Sequence, residues 1–399
     1  MPSPGSRLPK SESTRQRLLD VAIDEIVESG PDKVGFTAIA KRASMSTGAL
    51  YARYENADEL LIELWHERAF PALQQLSHTI VEACIGDNRK ESRRHLSELV
   101  NSCDPQIAAG VLILVAARRN EVLNEVVRPM FVDHIEEVTQ SFSVIDILLS
   151  NIYGEILLSR GLALKNVDWS GVILMLCRAA GEALAHPVDV PVVDVAFPHL
   201  QFSHLDDFDS ALFTAVADVI GRVGVENATI SRIARKASVN PASMYTRYRD
   251  KDELLQRAVE VVMDAVSSAN DFISGSFEDT DSTLSKSVSL WRARSSDEYA
   301  PIRNLRLELM AAAGHSGNLQ KVLVDKYLEI EKKDSESYGR ISDDMATVVR
   351  PYVLYGRALF FGQAILVSYG FGKVDEKYFP TFMQNMLVTI AAGQSRVVS

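Results

Sequence analysis

Apolar residues recur at helical spacing along nearly the whole chain. Leu18, Leu19, Ala22 and Ile26 line one face of a first helix. Ser13 with Gln16 forms a capping box at its start, and Ser29-Gly30-Pro31 is its stop signal. The pattern then predicts a short helix over about 37–43, a turn at Ser44-Met45-Ser46, and a second short helix ending near Tyr54. Asn56-Ala-Asp-Glu opens a longer helix, with an N-cap followed by carboxylates in the first turn. The same succession returns 194 residues later. Leu212, Phe213, Val216 and Ile220 lead to Gly224; a helix over 231–237 leads to the turn Ser238-Val239-Asn240, a helix from Pro241, and Asp250-Lys-Asp-Glu. Aligned without gaps from Arg17 and from Ala211, 15 of 45 positions are identical. A period of that length means two copies of a whole domain and not a solenoid. The expected fold class is all-α, built from two tandem units.

Two short helices across a tight turn form a helix-turn-helix, whose second helix enters the DNA major groove while the first crosses the backbone. Ile39, Ala40, Ala43, Met45 and Leu50 hold the first pair together; Ile233, Ala234, Ala237, Val239 and Met244 hold the second. The candidate DNA-contacting residues that remain are Thr37, Ser46, Thr47, Gly48, Tyr51 and Arg53 in one copy. In the other they are Ser231, Asn240, Pro241, Ala242, Tyr245, Thr246, Arg247 and Lys251. The tyrosines, arginines and Lys251 suit phosphates, although either arginine reaches far enough for a guanine edge; the threonines and small residues suit bases and thymine methyls.

Charge first argues against this partner, because the chain carries a formal net charge of -11. Its distribution reverses the argument. Residues 33–54 hold Lys33, Lys41, Arg42 and Arg53 with no acid, and residues 227–249 hold Arg232, Arg235, Lys236, Arg247 and Arg249 with no acid. Matching basic windows in an acidic protein are the footprint that a phosphate backbone requires.

The segment IAKRASMSTGALYARYENADELL (39–61) resembles the DNA-binding signature of the TetR family of transcriptional regulators, and so does IARKASVNPASMYTRYRDKDELL (233–255). The resemblance covers about 48 residues in each half. It departs from the family pattern at the interhelical turn, where the usual glycine is Ser44 and Ser238. It departs again at the start of the fourth helix, where a frequent phosphate-binding lysine is Lys251 in one copy but Ala57 in the other. A weaker backbone grip by the first head follows, unless Arg7 and Lys10 of the N-terminal arm compensate. The family usually binds palindromic DNA as a homodimer. The resemblance therefore implies a one-chain pseudo-dimer that reads an imperfect or non-palindromic double-stranded operator with two non-identical helices, further homodimerisation remaining open.

The expected organisation is a flexible basic arm (1–12), a first helix-turn-helix domain (13–62), a first helical body (63–185), a linker (186–207), a second helix-turn-helix domain (208–256) and a second body (257–399). Pro187, Pro191 and Pro198 mark the linker as extended. The family's dimer bundle would come from about 144–164 with 170–185 and 345–369 with 378–392. Gly154, Gly161, Gly171, Gly181, Gly356 and Gly362 are positions for close helix approach. Tyr153-Gly-Glu resembles Tyr355-Gly-Arg as a fainter trace of the repeat. The resemblance also implies an unknown, largely apolar small-molecule effector that releases a repressor from DNA. Candidate lining residues are Trp65, Phe70, Arg118, His134, Trp291, Tyr299, Tyr352 and Tyr355.

The chain shows no phosphate-binding loop, dinucleotide fingerprint, HExxH or GxSxG, so no enzyme, cofactor or metal is expected. His199 and His204 with Asp206, Asp207 and Asp209 lack metal-ligand spacing. Three scattered cysteines, no apolar signal core and a longest apolar run of only 107–117 point to a soluble cytoplasmic protein. The alternative reading is a helical interaction protein whose DNA-binding heads have degenerated.

Overall fold

Leu18, Leu19, Ala22, Ile23 and Ile26 are all buried along one face of α1 (Lys10–Ser29). The computed structural model describes residues 10–164, 167–195, 202, 205–275, 277, 282–338, 343–375 and 377–398, and no strand occurs among them. Arg7, Pro198, His199 and His204 lie outside the described residues. Because α1 starts at Lys10, Ser13 lies inside the helix, and the expected capping box does not open it. Gln16 instead donates to Glu12 at 2.5 Å, one turn back on the same helix. The helix ends at Gly30, whose φ of 81° and ψ of 156° belong to a region that side chains with a β-carbon hardly reach.

A single tight turn (Pro31–Lys33) leads to α2 (Phe36–Arg42), α3 (Thr47–Tyr51) and α4 (Ala57–Leu64). A π-helical turn at Trp65–Ala69 joins α4 to α5 (Phe70–Ile85). The first body continues with α6 (Arg89–Asn101), α7 (Pro105–Ala117), α8 (Glu121–Ser141), α9 (Ile145–Gly161) and α10 (Ser170–Ala185). The second half repeats the order. It comprises α11 (Asp207–Asn227), broken at Gly224, then α12 (Ile230–Ala237), α13 (Pro241–Tyr245), α14 (Lys251–Gly275) and α15 (Thr283–Ser295). It closes with α16 (Ala300–Ala313), α17 (Gly317–Tyr338), α18 (Asp343–Tyr369) and α19 (Phe379–Val398). The connector at 187–195 has no regular structure and is held by Val188 N–H on Thr381, Val193 N–H on Ser289, and the Ser285 hydroxyl on the Pro191 carbonyl.

The two halves meet through α9 against α18 and α10 against α19. Gly154 abuts the Ala358 backbone and Gly362 abuts the Ser150 backbone, so α9 and α18 run antiparallel. This corrects the fainter repeat. The equivalent residues are Gly154 and Gly362, which pair Tyr153-Gly-Glu155 with Phe361-Gly-Gln363 and not with Tyr355-Gly-Arg357. Ser150 and Gly154 on α9, and Ala358 and Gly362 on α18, stand four apart on one face of each helix and make the contact reciprocally. Gly161 also makes a close approach, to Met310, whereas Gly181 and Gly356 face open space.

A buried ionic junction lies beside this contact. Glu308 on α16 accepts from Arg118 and Arg119, at the end of α7, at 3.1 Å each, and Arg119 also forks onto Asp32 of the first head at 2.7 and 2.6 Å. Burial pushes the Glu308 carboxyl up, opposed by the two guanidinium groups. Gly224 packs against Arg119 and Gly30 against His315, while Lys33 pairs with Glu226 at 2.8 Å. The loops that follow α1 and α11 are thereby held to each other and to the opposite body.

Candidate nucleic-acid interface

In each head the short helix pair is fixed by one buried face and one capped start. Phe36, Ile39, Ala40 and Leu50 are buried between α2, α3 and α1; Ile233, Ala234 and Met244 do the same between α12, α13 and α11. The Ser46 hydroxyl accepts from Ala49 N–H at 3.2 Å, and Asn240 Oδ1 accepts from Ala242 N–H at 2.9 Å, with Pro241 where no N–H is needed. The turns pass through Ser44 at φ 53° and Ser238 at φ 56°. Both serines hold the left-handed geometry that glycine normally supplies, at a cost of about 1–2 kcal/mol each.

These constraints bring the expected surface residues together at one end of each head. Tyr51 is 63% exposed and Tyr245 56% exposed, unusual for aromatics with no partner helix above them. Tyr51 is steadied edge-on against Phe36, ring centroids 5.0 Å apart. Ser46, Gly48, Arg53, Asn240, Pro241, Ala242, Thr246 and Arg247 are exposed beside them, and Thr47 is half-buried. Thr37 and Ser231 are exposed at the second positions of α2 and α12; the cap of α12 is Thr229, whose hydroxyl accepts from Arg232 N–H. Ala49 and Ser243 are exposed on the same short helices, which their small side chains did not reveal in the sequence.

The basic residues divide into two groups. Arg42 pairs with Glu25 and Glu28, Lys236 with Asp218 at 3.0 Å, and Arg249 with Asp250 at 2.8 Å. Arg247 is held at 2.6 Å by Asp206 and at 3.0 Å by Asp209, and it stacks over Phe208. Lys251 is turned inward: its ammonium donates to the Val225 and Glu226 carbonyls at 3.1 and 3.3 Å, closing the end of α11. Lys41, Arg53 and Arg235 are exposed with no ion pair among the described residues. Apart from Arg249, whose acid is the next residue, the paired cations of these windows thus receive acids in space from the preceding helix or its cap.

The family model for bacterial regulatory proteins of the tetR family matches residues 18–64 and 212–258, the two heads just described. The chain is a tandem fusion of two tetR-family units. It is similar to the probable acrEF/envCD operon repressor of Escherichia coli strain K12, at 35% identity over 63 residues, which is 16% of this chain and 28% of that protein. It is also similar to the HTH-type transcriptional regulator AcrR of Shigella flexneri, at 24% identity over 127 residues, 28% of this chain and 58% of that one. The chain thus matches less than two thirds of the length of either relative. The matched family is one of regulators, not enzymes. Among the described residues, no single helix is long and apolar enough to cross a membrane.

The candidate effector residues of this tandem tetR-family chain do not converge. Trp65, Phe70 and His134 form one buried cluster, with centroids 5.2 and 5.8 Å apart, and His134 Nε2 lies 3.1 Å from the Ser77 hydroxyl. Burial and neighbouring His78 hold the His134 imidazole below its ordinary pKa. Trp65 Nε1 is buried without a partner among the described residues. Arg118 is committed to Glu308 between the halves. In the second half Trp291 stacks with Arg294 at 5.0 Å and Tyr299 meets Phe360 edge-on at 6.2 Å. Tyr355 is buried on α18, and its hydroxyl lies 3.8 Å from Met383 Sδ on α19. Tyr352 is on α18, and its side chain lies outside the described residues.

Proposed function

We propose that the chain is a sequence-specific DNA-binding transcriptional regulator, a repressor in which one polypeptide supplies both reading heads of a pseudo-dimer. The observation that carries this reading is the pair of capped helices α3 and α13, each ending in an exposed Tyr-x-Arg (Tyr51-Ala-Arg53 and Tyr245-Thr-Arg247). Their shared tyrosine and arginine serve the DNA backbone. Their differing starts, Ser46-Thr-Gly-Ala against Asn240-Pro-Ala-Ser, serve different bases, so the operator has two dissimilar half-sites. A small, largely apolar effector enters the first body at the Trp65–Phe70–His134 cluster, where an unpartnered indole N–H awaits an acceptor. It acts by binding one spacing of the heads better than another. The Asp32–Arg119–Glu308 junction is the route by which a shift in either body reaches a head.

Selection of bound sequences from a random duplex library, with purified protein at fixed near-physiological salt, tests the reading. One enriched site with unlike half-sites is expected. A perfect palindrome would mean that two chains pair through like heads. Binding with no enrichment above a salt-sensitive background would overturn the reading in favour of a DNA-independent interaction protein.

A further inference from the structure

A small recess of about 180 Å³ lies where both reading heads meet the second body, and neither the DNA surface nor the Trp65–Phe70–His134 cluster includes it. Ile220 on α11, Leu255 and Val259 on α14, Leu309 on α16 and Val322 on α17 form its apolar wall, and all five are buried. Two lysines line it as well: Lys251 at the start of α14, and Lys33 from the loop that follows α1 of the first head. Both lie on Glu226. Lys251 gives two N–H bonds to the Val225 and Glu226 carbonyls, and Lys33 meets the Glu226 carboxylate at 2.8 Å. An ammonium has three N–H donors, so each lysine keeps a donor for an acceptor from outside. Asp252 also lines the recess, but it is exposed, and water screens its charge. The repeat shows how the second half differs here. The matched segments stand 194 residues apart, and one residue past their ends Trp65 corresponds to Val259. The first half buries an indole at that position and the second half a valine. At the same offset Ala57 corresponds to Lys251, so the second half has an ammonium in place of a methyl group and space in place of a ring.

We propose that this recess binds a small monocarboxylate with a compact apolar body, of the size of benzoate. The apolar body rests against Val259 and Leu309, and the carboxylate accepts from Lys33 and Lys251. An apolar cavity of about 150 Å³ holds a benzene-sized molecule, so a single ring fits here with its carboxylate at the lysines. The ring loses contact with water, which drives binding, while the charged end keeps donors in place of its hydration. Lys33 belongs to the first head, and Ile220 and Lys251 to the second. The occupant therefore touches both heads at once, and it favours the relative arrangement in which these residues face one space.

Saturation-transfer NMR of sodium benzoate with the full chain, at constant ionic strength and without DNA, tests the site independently of the regulator reading. Transfer to the ring protons is expected, with a Kd on the order of 1 mM for a ligand of this size. Lys251→Ala, which installs the residue found at the repeat position of the first half, should weaken benzoate about tenfold, the effect of losing a charge-assisted hydrogen bond. The same variant should leave benzyl alcohol, a neutral ligand of similar shape, unchanged. Val259→Trp restores the ring of the first half and should abolish transfer to both ligands. Circular dichroism verifies that each variant is folded, and Lys251→Ala decides alone if Val259→Trp is not. Absence of transfer to benzoate in the wild type overturns the proposal, as does a benzoate affinity that Lys251→Ala leaves unchanged.

Discussion

Gly154 on α9 lies against Ala358 on α18 so closely that a β-carbon there would come within 2.8 Å of the Ala358 Cα and nearer still to its carbonyl. Gly362 bears the same relation to Ser150. The obstacle in each case is backbone, which cannot rotate away as a side chain would, so a single methyl must push the helices apart. Gly154→Ala or Gly362→Ala is expected to destabilise the chain by about 3 kcal/mol, the upper range for an overpacked core. Urea unfolding followed by circular dichroism measures this, and an unchanged midpoint would show that the halves do not close through this contact. Gly356→Ala, which faces open space in the interior of α18, is the matched control and should hold the midpoint or raise it, by up to about 1 kcal/mol of helix propensity.

Beside Gly154, the Glu155 side chain is completely buried and neither carboxylate oxygen has a hydrogen-bond partner among the described residues. Burial pushes its pKa well above the ordinary carboxylate range. The folded chain therefore keeps a proton that the unfolded chain releases. Stability from this group is intact below the unfolded value, about 4.3, and falls as pH rises above it, by about 1.4 kcal/mol per unit until the folded group also ionises. Its counterpart is Gln363, whose amide reaches the Gly372 carbonyl at 2.9 Å. Glu155→Gln is accordingly expected to match wild type near pH 4.5 and to exceed it increasingly toward pH 8. Denaturant midpoints measured across that range check this; parallel curves for the two proteins would refute it.

The heads were legible in the sequence because their signals are local. Asn240 and Ser46 announce helix starts, Gly30 and Gly224 announce stops, and buried positions such as Ile39 and Ile233 follow the helical period. The partners of charged groups were not legible in the same way. Arg119 meets Glu308 from 189 residues away, and Arg247 meets Asp206 from 41 residues away, distances over which no periodicity speaks. The equivalence of Gly154 with Gly362 is hidden in the sequence because Tyr-Gly occurs at both 153–154 and 355–356, and similarity alone does not say which glycine a neighbouring backbone needs. The start of α1 was misplaced because Ser13 and Gln16 have cap-like spacing without occupying a helix end.

Ala57 illustrates how placement changes a prediction. Its counterpart Lys251 closes the Val225 and Glu226 carbonyls at the end of α11, and burial holds that ammonium below its ordinary pKa. The equivalent carbonyls in the first head are those of Pro31 and Asp32. A lysine at 57 would bind them in place of a phosphate. Ala57→Lys is expected to raise the melting temperature by a few degrees, about 1 kcal/mol for a charge-assisted cap, and to leave the salt dependence of DNA affinity unchanged. A slope steeper by about one unit would restore the phosphate role.

Arg247 carries the clearest difference between the heads. Its equivalent, Arg53, is exposed and has no ion pair among the described residues, whereas Arg247 is shared between Asp206 and Asp209. A phosphate must displace those carboxylates before the second head can use this arginine. Asp206→Asn with Asp209→Asn removes the competitors while keeping the side-chain shape. The double variant is expected to bind DNA several-fold more tightly across sequences and to steepen the salt slope by about one, as one more cation reaches the backbone. Asp133→Asn with Glu136→Gln, two exposed acids on α8, makes the same change in net charge away from the heads. Fluorescence anisotropy over a salt series separates the outcomes. Equal slopes for the two double variants would reduce the effect to net charge, whereas a steeper slope for the first alone assigns it to the release of Arg247.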